Sequence, residues 1–91
     1  MAGKDNDNDK DKDLHRECVN RFIALANTMK DEGIDIKLVN AALMTSSGLY
    51  TSYMAGGNEG GLTESGVEKV TELYRRELAR IQAFKKQSDG E

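Results

Sequence analysis

The chain has 91 residues, a net charge of −3 at pH 7 and a single cysteine, Cys18. This length allows one domain, the lone cysteine excludes a disulfide framework, and the acidic balance disfavours nucleic acid or an anionic membrane as the general partner. The polar N-terminal residues lack the apolar segment of a signal peptide, and no stretch is apolar enough to form a membrane span. We therefore expect a soluble, cytoplasmic protein.

Residues 1–13 alternate Asp, Asn and Lys and offer almost nothing that can be buried, so we expect a disordered acidic tail. The run over residues 5–9 resembles the beginning of a calcium-binding loop. Such a loop requires Gly at its sixth position and Glu at its twelfth, where this chain has Lys10 and Arg16. No calcium site is predicted.

A first helix is predicted over about residues 14–32, with Asp13 as its N-cap. Its apolar side chains recur at intervals of three and four residues, and they are Cys18, Phe22, Leu25, Ala26 and Met29. Cys18 is expected at the edge of the core. Gly33 should end the helix in the left-handed conformation, which places Ile34 where it can pack on Met29.

A second helix is predicted over residues 36–55, capped by Asp35. Its connection to the first helix is so short that the two must be neighbours, most simply in an antiparallel hairpin. Lys37 is its only charged residue. An apolar arc of about 160° is wide enough to contact two other helices, and it holds Ile36, Leu38, Val39, Ala42, Leu43, Leu49, Tyr50, Tyr53 and Met54. The pattern predicts a helix that other protein covers over much of its circumference.

The opposite side of this second helix is small and uncharged, and we call it the small face. It consists of Ala41, Met44, Thr45, Gly48, Ser52 and Ala55. A solvated helix face normally carries Lys, Glu or Arg. Two interpretations stay open: the small face is an interface with a protein partner or a second copy, or the glycine-rich loop over 56–62 or the N-terminal tail covers it.

A third helix is predicted over about residues 64–86, with residues 87–91 frayed. Thr63 can cap it with a staple between Leu62 and Val67, or Ser65 can cap it in a capping box with Glu68. Its apolar stripe is Val67, Val70, Tyr74, Leu78 and Ile81, and Arg80, Lys85 and Lys86 lie toward its basic end. Residues at the middle of the three stripes should be close together and largely buried, namely Phe22, Leu43 and Tyr74.

No motif carries catalytic or cofactor chemistry. His15 and Cys18 could share a helix face, but two ligands do not make a zinc site. The glycine-rich loop follows no strand and so is not a phosphate cradle. A DNA-reading second helix would have to work with Lys37 and Asn40 alone. We predict no catalytic residue, no metal, no cofactor and no enzymatic activity.

Three short motifs suggest a family. The chain resembles the DUF3144 family of short bacterial proteins of unknown function in the motifs Phe22-Ile23-x-Leu25-Ala26-Asn27, Val39-x-x-Ala42-Leu43-Met44 with Tyr50, and Tyr74-Arg75-x-x-Leu78. The similarity spans about residues 14–82. In the family pattern an Arg precedes and an Asn follows the tyrosine of the second helix, whereas this chain has Leu49 and Thr51. The resemblance implies a helical bacterial protein and brings no activity.

Together these features predict an all-α protein: a compact three-helix domain over residues 14–86 behind the disordered tail. The predicted function is a non-enzymatic protein-interaction or self-association module. The alternative is a small regulatory protein that contacts nucleic acid through the basic end of the third helix. Salt-dependent retention on nucleic acid would separate the two.

Overall fold

The computed structural model describes residues 2–56 and 61–89, which form three α-helices and, over those residues, no strand. These are α1 (Ala2–Asp31), α2 (Ile36–Gly56) and α3 (Glu64–Asp89). The predicted all-α class with three helices is confirmed. The chain divides into two compact units, Met1–Gly48 and Leu49–Glu91, and the boundary falls inside α2. The single domain over 14–86 stays a prediction.

The turn between α1 and α2 has the predicted chemistry. Gly33 adopts φ +97°, its N–H donates to the carbonyl of Lys30 at 3.0 Å, and the N–H of Ile34 donates to the carbonyl of Met29 at 3.2 Å. This pair of hydrogen bonds is the Schellman motif, which satisfies carbonyls at the end of a helix. The prediction for Gly33 is confirmed.

Asp35 then begins α2, as predicted. Its Oδ1 accepts a hydrogen bond from the N–H of Lys37 at 2.8 Å. Its carbonyl accepts from the N–H groups of Leu38 and Val39, each at 3.0 Å. The cap thereby satisfies one of the backbone donors that the first turn of a helix cannot satisfy internally.

The first unit contains α1 and residues 36–48 of α2. Its most buried hydrophobic side chain is Val39, which is 7% exposed, and Ala26 and Met29 of α1 are half-buried. Cys18 is exposed, not at the edge of the core as predicted. Two helices cover each other only along one line of contact, which leaves side chains at the margins of the stripe outside it.

The predicted burial of three mid-stripe residues is wrong. Phe22 is 61% exposed, Leu43 is 37% exposed and Tyr74 is 51% exposed. Within the first unit, a pair of helices buries only the centre of its contact. Within the second unit, α3 has 26 residues, whereas α2 contributes only residues 49–56. Among the residues described in that unit, most of the α3 stripe therefore has no counterpart.

The first helix begins earlier than the sequence predicts. Residues 2–13, expected to be a disordered tail, belong to α1, and Asp13 lies inside the helix, where it forms an ion pair with Arg16 at 3.7 Å. No proline interrupts the segment, and opposite charges three residues apart support a helix without tertiary contacts. The side chains of residues 8–13 are all exposed, so this described part of the extension has no buried packing.

The start of α3 resolves the choice between two caps. The N–H of Gly66 donates to Thr63 Oγ1 at 3.1 Å, and the N–H of Val67 donates to the Thr63 carbonyl at 2.9 Å. Thr63 is therefore the N-cap, and Ser65 lies inside the helix. Leu62 is half-buried against Gly66, where an added Cβ would lie 3.3 Å from Leu62 Cδ2.

The end of α3 also departs from the prediction. The helix continues to Asp89, whereas residues 87–91 were expected to fray; the last two residues lie outside the described part of the chain. The chain has no proline, and no glycine occurs between Gly66 and Gly90 to stop the helix. Lys86 in the last turn suits the negative end of the helix dipole.

Candidate interaction surface on α2

The surface of α2 is apolar and largely exposed. Of its side chains over residues 36–55, Val39 is buried, Thr51 and Ser52 are half-buried, and the others are exposed. Large apolar groups are among the most exposed, with Tyr50 at 76% and Met54 at 77%. The sequence predicts a helix covered over much of its circumference, and within each of the two units the described residues leave most of these side chains exposed.

The small face contributes six positions to this surface. Five of them, Ala41, Met44, Thr45, Gly48 and Ala55, are exposed, and Ser52 is half-buried. The first four lie within the first unit, on one line along α2. A Cβ added at Gly48 would meet no atom within 4 Å, so there is room beside this backbone for another chain to approach closely.

Coverage of the small face by a folded-over segment was the other interpretation. In the described part of the chain no segment covers the five exposed side chains, and residues 8–13 of the predicted tail are part of α1. Residues 57–60 of the glycine-rich loop lie outside the described residues. Whether the small face is an interface stays a prediction.

An apolar groove lies between α1 and the first part of α2, and its volume is about 170 Å³. Its lining is Phe22, Leu25, Ala26, Met29, Val39, Ala42, Leu43 and Ser46. On a helix with 100° per residue, its α2 residues lie on the side opposite the small face. The Ser46 hydroxyl is the one polar side-chain group in this lining, so the groove can hold apolar side chains but offers no acid–base pair.

Sequence reasoning missed Ser46 as part of the groove. The available signal was its spacing, because Ser46 follows Val39 by seven residues and Leu43 by three and so lies on the same stripe. The predicted apolar arc omits Ser46 because a hydroxyl side chain does not count as apolar. The other groove residues all belong to the predicted apolar stripes of the first two helices.

The charges of α3 are paired along the helix. Glu72 accepts hydrogen bonds from Arg75 at 3.0 and 2.8 Å and from Arg76 at 3.1 Å. Arg80 donates twice to Glu77, at 3.0 and 2.6 Å. The hydrogen bonds from Arg75 and then Arg76 lower the pKa of Glu72 below its ordinary value, and those to Glu72 and Glu77 raise the pKa of Arg75 and of Arg80. The arginines therefore present partly neutralised charges to a ligand.

The two residues considered for metal binding do not belong to a larger group of possible metal ligands in the described part of the chain. His15 and Cys18 are both exposed on α1. In the parts of the chain that the structure describes, no group of three or more His, Cys, Asp or Glu side chains could hold a metal ion. None of the helices, over the same residues, is both long and apolar enough to cross a membrane.

Comparison of the chain with models of protein families, with curated proteins and with solved structures finds no match. The resemblance to the DUF3144 family stays a prediction from the short motifs quoted above. No activity, partner or site is carried over from another protein.

Proposed function

We propose that this protein is a non-enzymatic interaction module that binds another protein chain, a partner or a second copy of itself, through α2. One observation carries the proposal. Residues 36–55 contain a single charge, Lys37, in a chain whose charged fraction is 32%, yet most side chains of this helix are exposed. Contiguous apolar surface of this kind typically marks sites of protein–protein contact.

Burial of this surface would be strongly favourable. Transfer of one Leu, Met or Phe side chain out of water contributes about 1.5–3 kcal/mol. The small face exposes one such residue, Met44, which is 55% exposed, and Leu38 and Leu49 lie at the margin of this face on the helical wheel. Ordering and lost translational freedom on association offset part of that gain. A helix that keeps so few charges on its exposed sides fits a role in which the surface is covered during function.

The small face suits close approach of a second backbone. Side chains at Ala41, Gly48 and Ala55 are small or absent, and the space beside Gly48 is open. Small residues let two helices approach closely, which increases the van der Waals contact between them. We therefore place the interface on the small face.

The nucleic-acid alternative has weaker support. Arg75, Arg76 and Arg80 each donate hydrogen bonds to a glutamate on the same helix. Binding of a phosphate would have to compete with these carboxylates, which lie 2.6–3.1 Å from the guanidinium nitrogens. A steep loss of affinity for duplex DNA between 50 and 200 mM salt would favour this alternative. For six phosphate contacts the affinity should fall about 10³-fold over that range.

A cytoplasmic location and a bacterial origin belong to the same proposal. Cys18 is a free, exposed thiol, and exposed unpaired thiols are typical of reducing compartments. The bacterial origin rests on the resemblance to the DUF3144 family. Redox trapping in cells with a thiol-reactive reagent would report the state of Cys18.

The experiment compares two glutamate substitutions on neighbouring positions of α2. Gly48→Glu places a charge on the small face, where an added Cβ meets no described atom within 4 Å apart from the adjoining helix backbone, so the helix should persist. Ser47→Glu adds the same charge about 100° around the helix at another exposed position. The mass in solution is measured by sedimentation, and binding partners from the native host are captured and identified for each protein.

Gly48→Glu should abolish self-association or lose the captured partner while the helical circular-dichroism signal is kept. Ser47→Glu should behave as the parent chain does. The proposal for the small face is overturned if the parent chain is a monomer at high concentration and Gly48→Glu captures the same proteins as the parent. Equal losses in both variants would show that an added charge disrupts binding at either position, which would contradict an interface confined to the small face.

A further inference from the structure

We draw no further inference here: the strongest candidate, the apolar groove between α1 and the first part of α2, is an open apolar surface and nothing in the structure shows what covers it.

Discussion

Gly33 and Gly48 differ in backbone conformation. Gly33 adopts φ +97° at the end of α1, in the left-handed region that side chains with a Cβ rarely enter. Gly48 lies in the middle of α2, where glycine costs about 1 kcal/mol relative to alanine. The same substitution should therefore have opposite signs at the two positions.

We expect Gly33→Ala to lower the free energy of unfolding by about 1–2 kcal/mol, because alanine is strained at positive φ. Gly48→Ala should raise it by about 0.5–1 kcal/mol, since the added methyl group meets no atom within 4 Å. Chemical denaturation at a concentration low enough to exclude association measures both. Two changes of the same sign would contradict the assignment of the turn or of the space at Gly48.

Val39 and Leu38 are adjacent on α2 but differ in exposure, at 7% and 62%. Val39→Ala should lower the free energy of unfolding by roughly 2 kcal/mol, because it removes buried methyl groups from the contact with α1. Leu38→Ala removes more carbon atoms but should cost less than about 1 kcal/mol, since those atoms are already in water. A larger loss for Leu38→Ala in the dilute protein would show that the register of α2 against α1 is wrong.

At the scale of the element, α3 shows how exposed charges act on a helix. Glu72 binds Arg75 three residues on and Arg76 four residues on, an orientation that favours the helix when the acidic residue precedes the basic one. All three side chains are at least 41% exposed, so solvent and salt screen these pairs. Their contribution is local to α3.

The pKa of Glu72 gives a test of this pairing. Because its pKa is lowered in the folded helix, the ion pairs stabilise α3 above the ordinary pKa range of a glutamate, and this stabilisation is lost as the pH falls through the lowered pKa. We expect Arg75→Gln to raise the pKa of Glu72 more than Arg76→Gln does, since the hydrogen bond from Arg75 is the larger cause. Titration of the carboxyl resonance by NMR measures both shifts.

Glu77 provides the internal comparison in that titration. Glu77 accepts two hydrogen bonds from Arg80, and neither substitution changes that arginine. The resonance of Glu77 should titrate as it does in the parent chain. An equal response of both carboxyls would indicate a general change in α3, and a Glu72 pKa unaffected by Arg75→Gln would contradict the pairing.

At the scale of the whole molecule, the described structure has much exposed apolar surface and little buried core. A folded chain of this size has a modest stability even with a complete core, on the order of 5 kcal/mol. Association that covers α2 would add to the stability in proportion to the logarithm of concentration, because only the folded state binds. Stability and association should therefore be coupled.

The melting temperature should thus rise with protein concentration. For a dimer, a tenfold increase contributes about 1.4 kcal/mol per complex, or about 0.7 kcal/mol per chain, which corresponds to roughly 3–6 °C for a domain of this length. Thermal unfolding of the parent chain over a hundredfold range of concentration measures the effect. Gly48→Glu should show no such dependence. A concentration-independent melting temperature in the parent chain would exclude self-association and leave a different protein as the partner.

The sequence by itself determined the local structure. Three helices, the left-handed Gly33, the cap at Asp35 and the uncharged character of α2 follow from residue type and spacing, because these features depend on contacts within a few residues. The choice between Thr63 and Ser65 needed the structure, since both caps satisfy the same local rules and only one can begin α3. The low apolar content of residues 2–13 predicts that they pack against nothing, and from this we expected no helix. Backbone hydrogen bonds and favourably spaced charges can support a helix without such packing.

Burial was decided only in three dimensions. The spacing of apolar residues places Phe22, Leu43 and Tyr74 on apolar helix stripes, but it does not predict how much of a stripe another element covers. That depends on which residues lie opposite, as Val39 does in the contact with α1 and Leu38 does not. An exposed apolar face on α2 therefore has the same sequence pattern as a buried one. Only the tertiary structure distinguishes the two, because the residues that cover a face are distant from it in the chain.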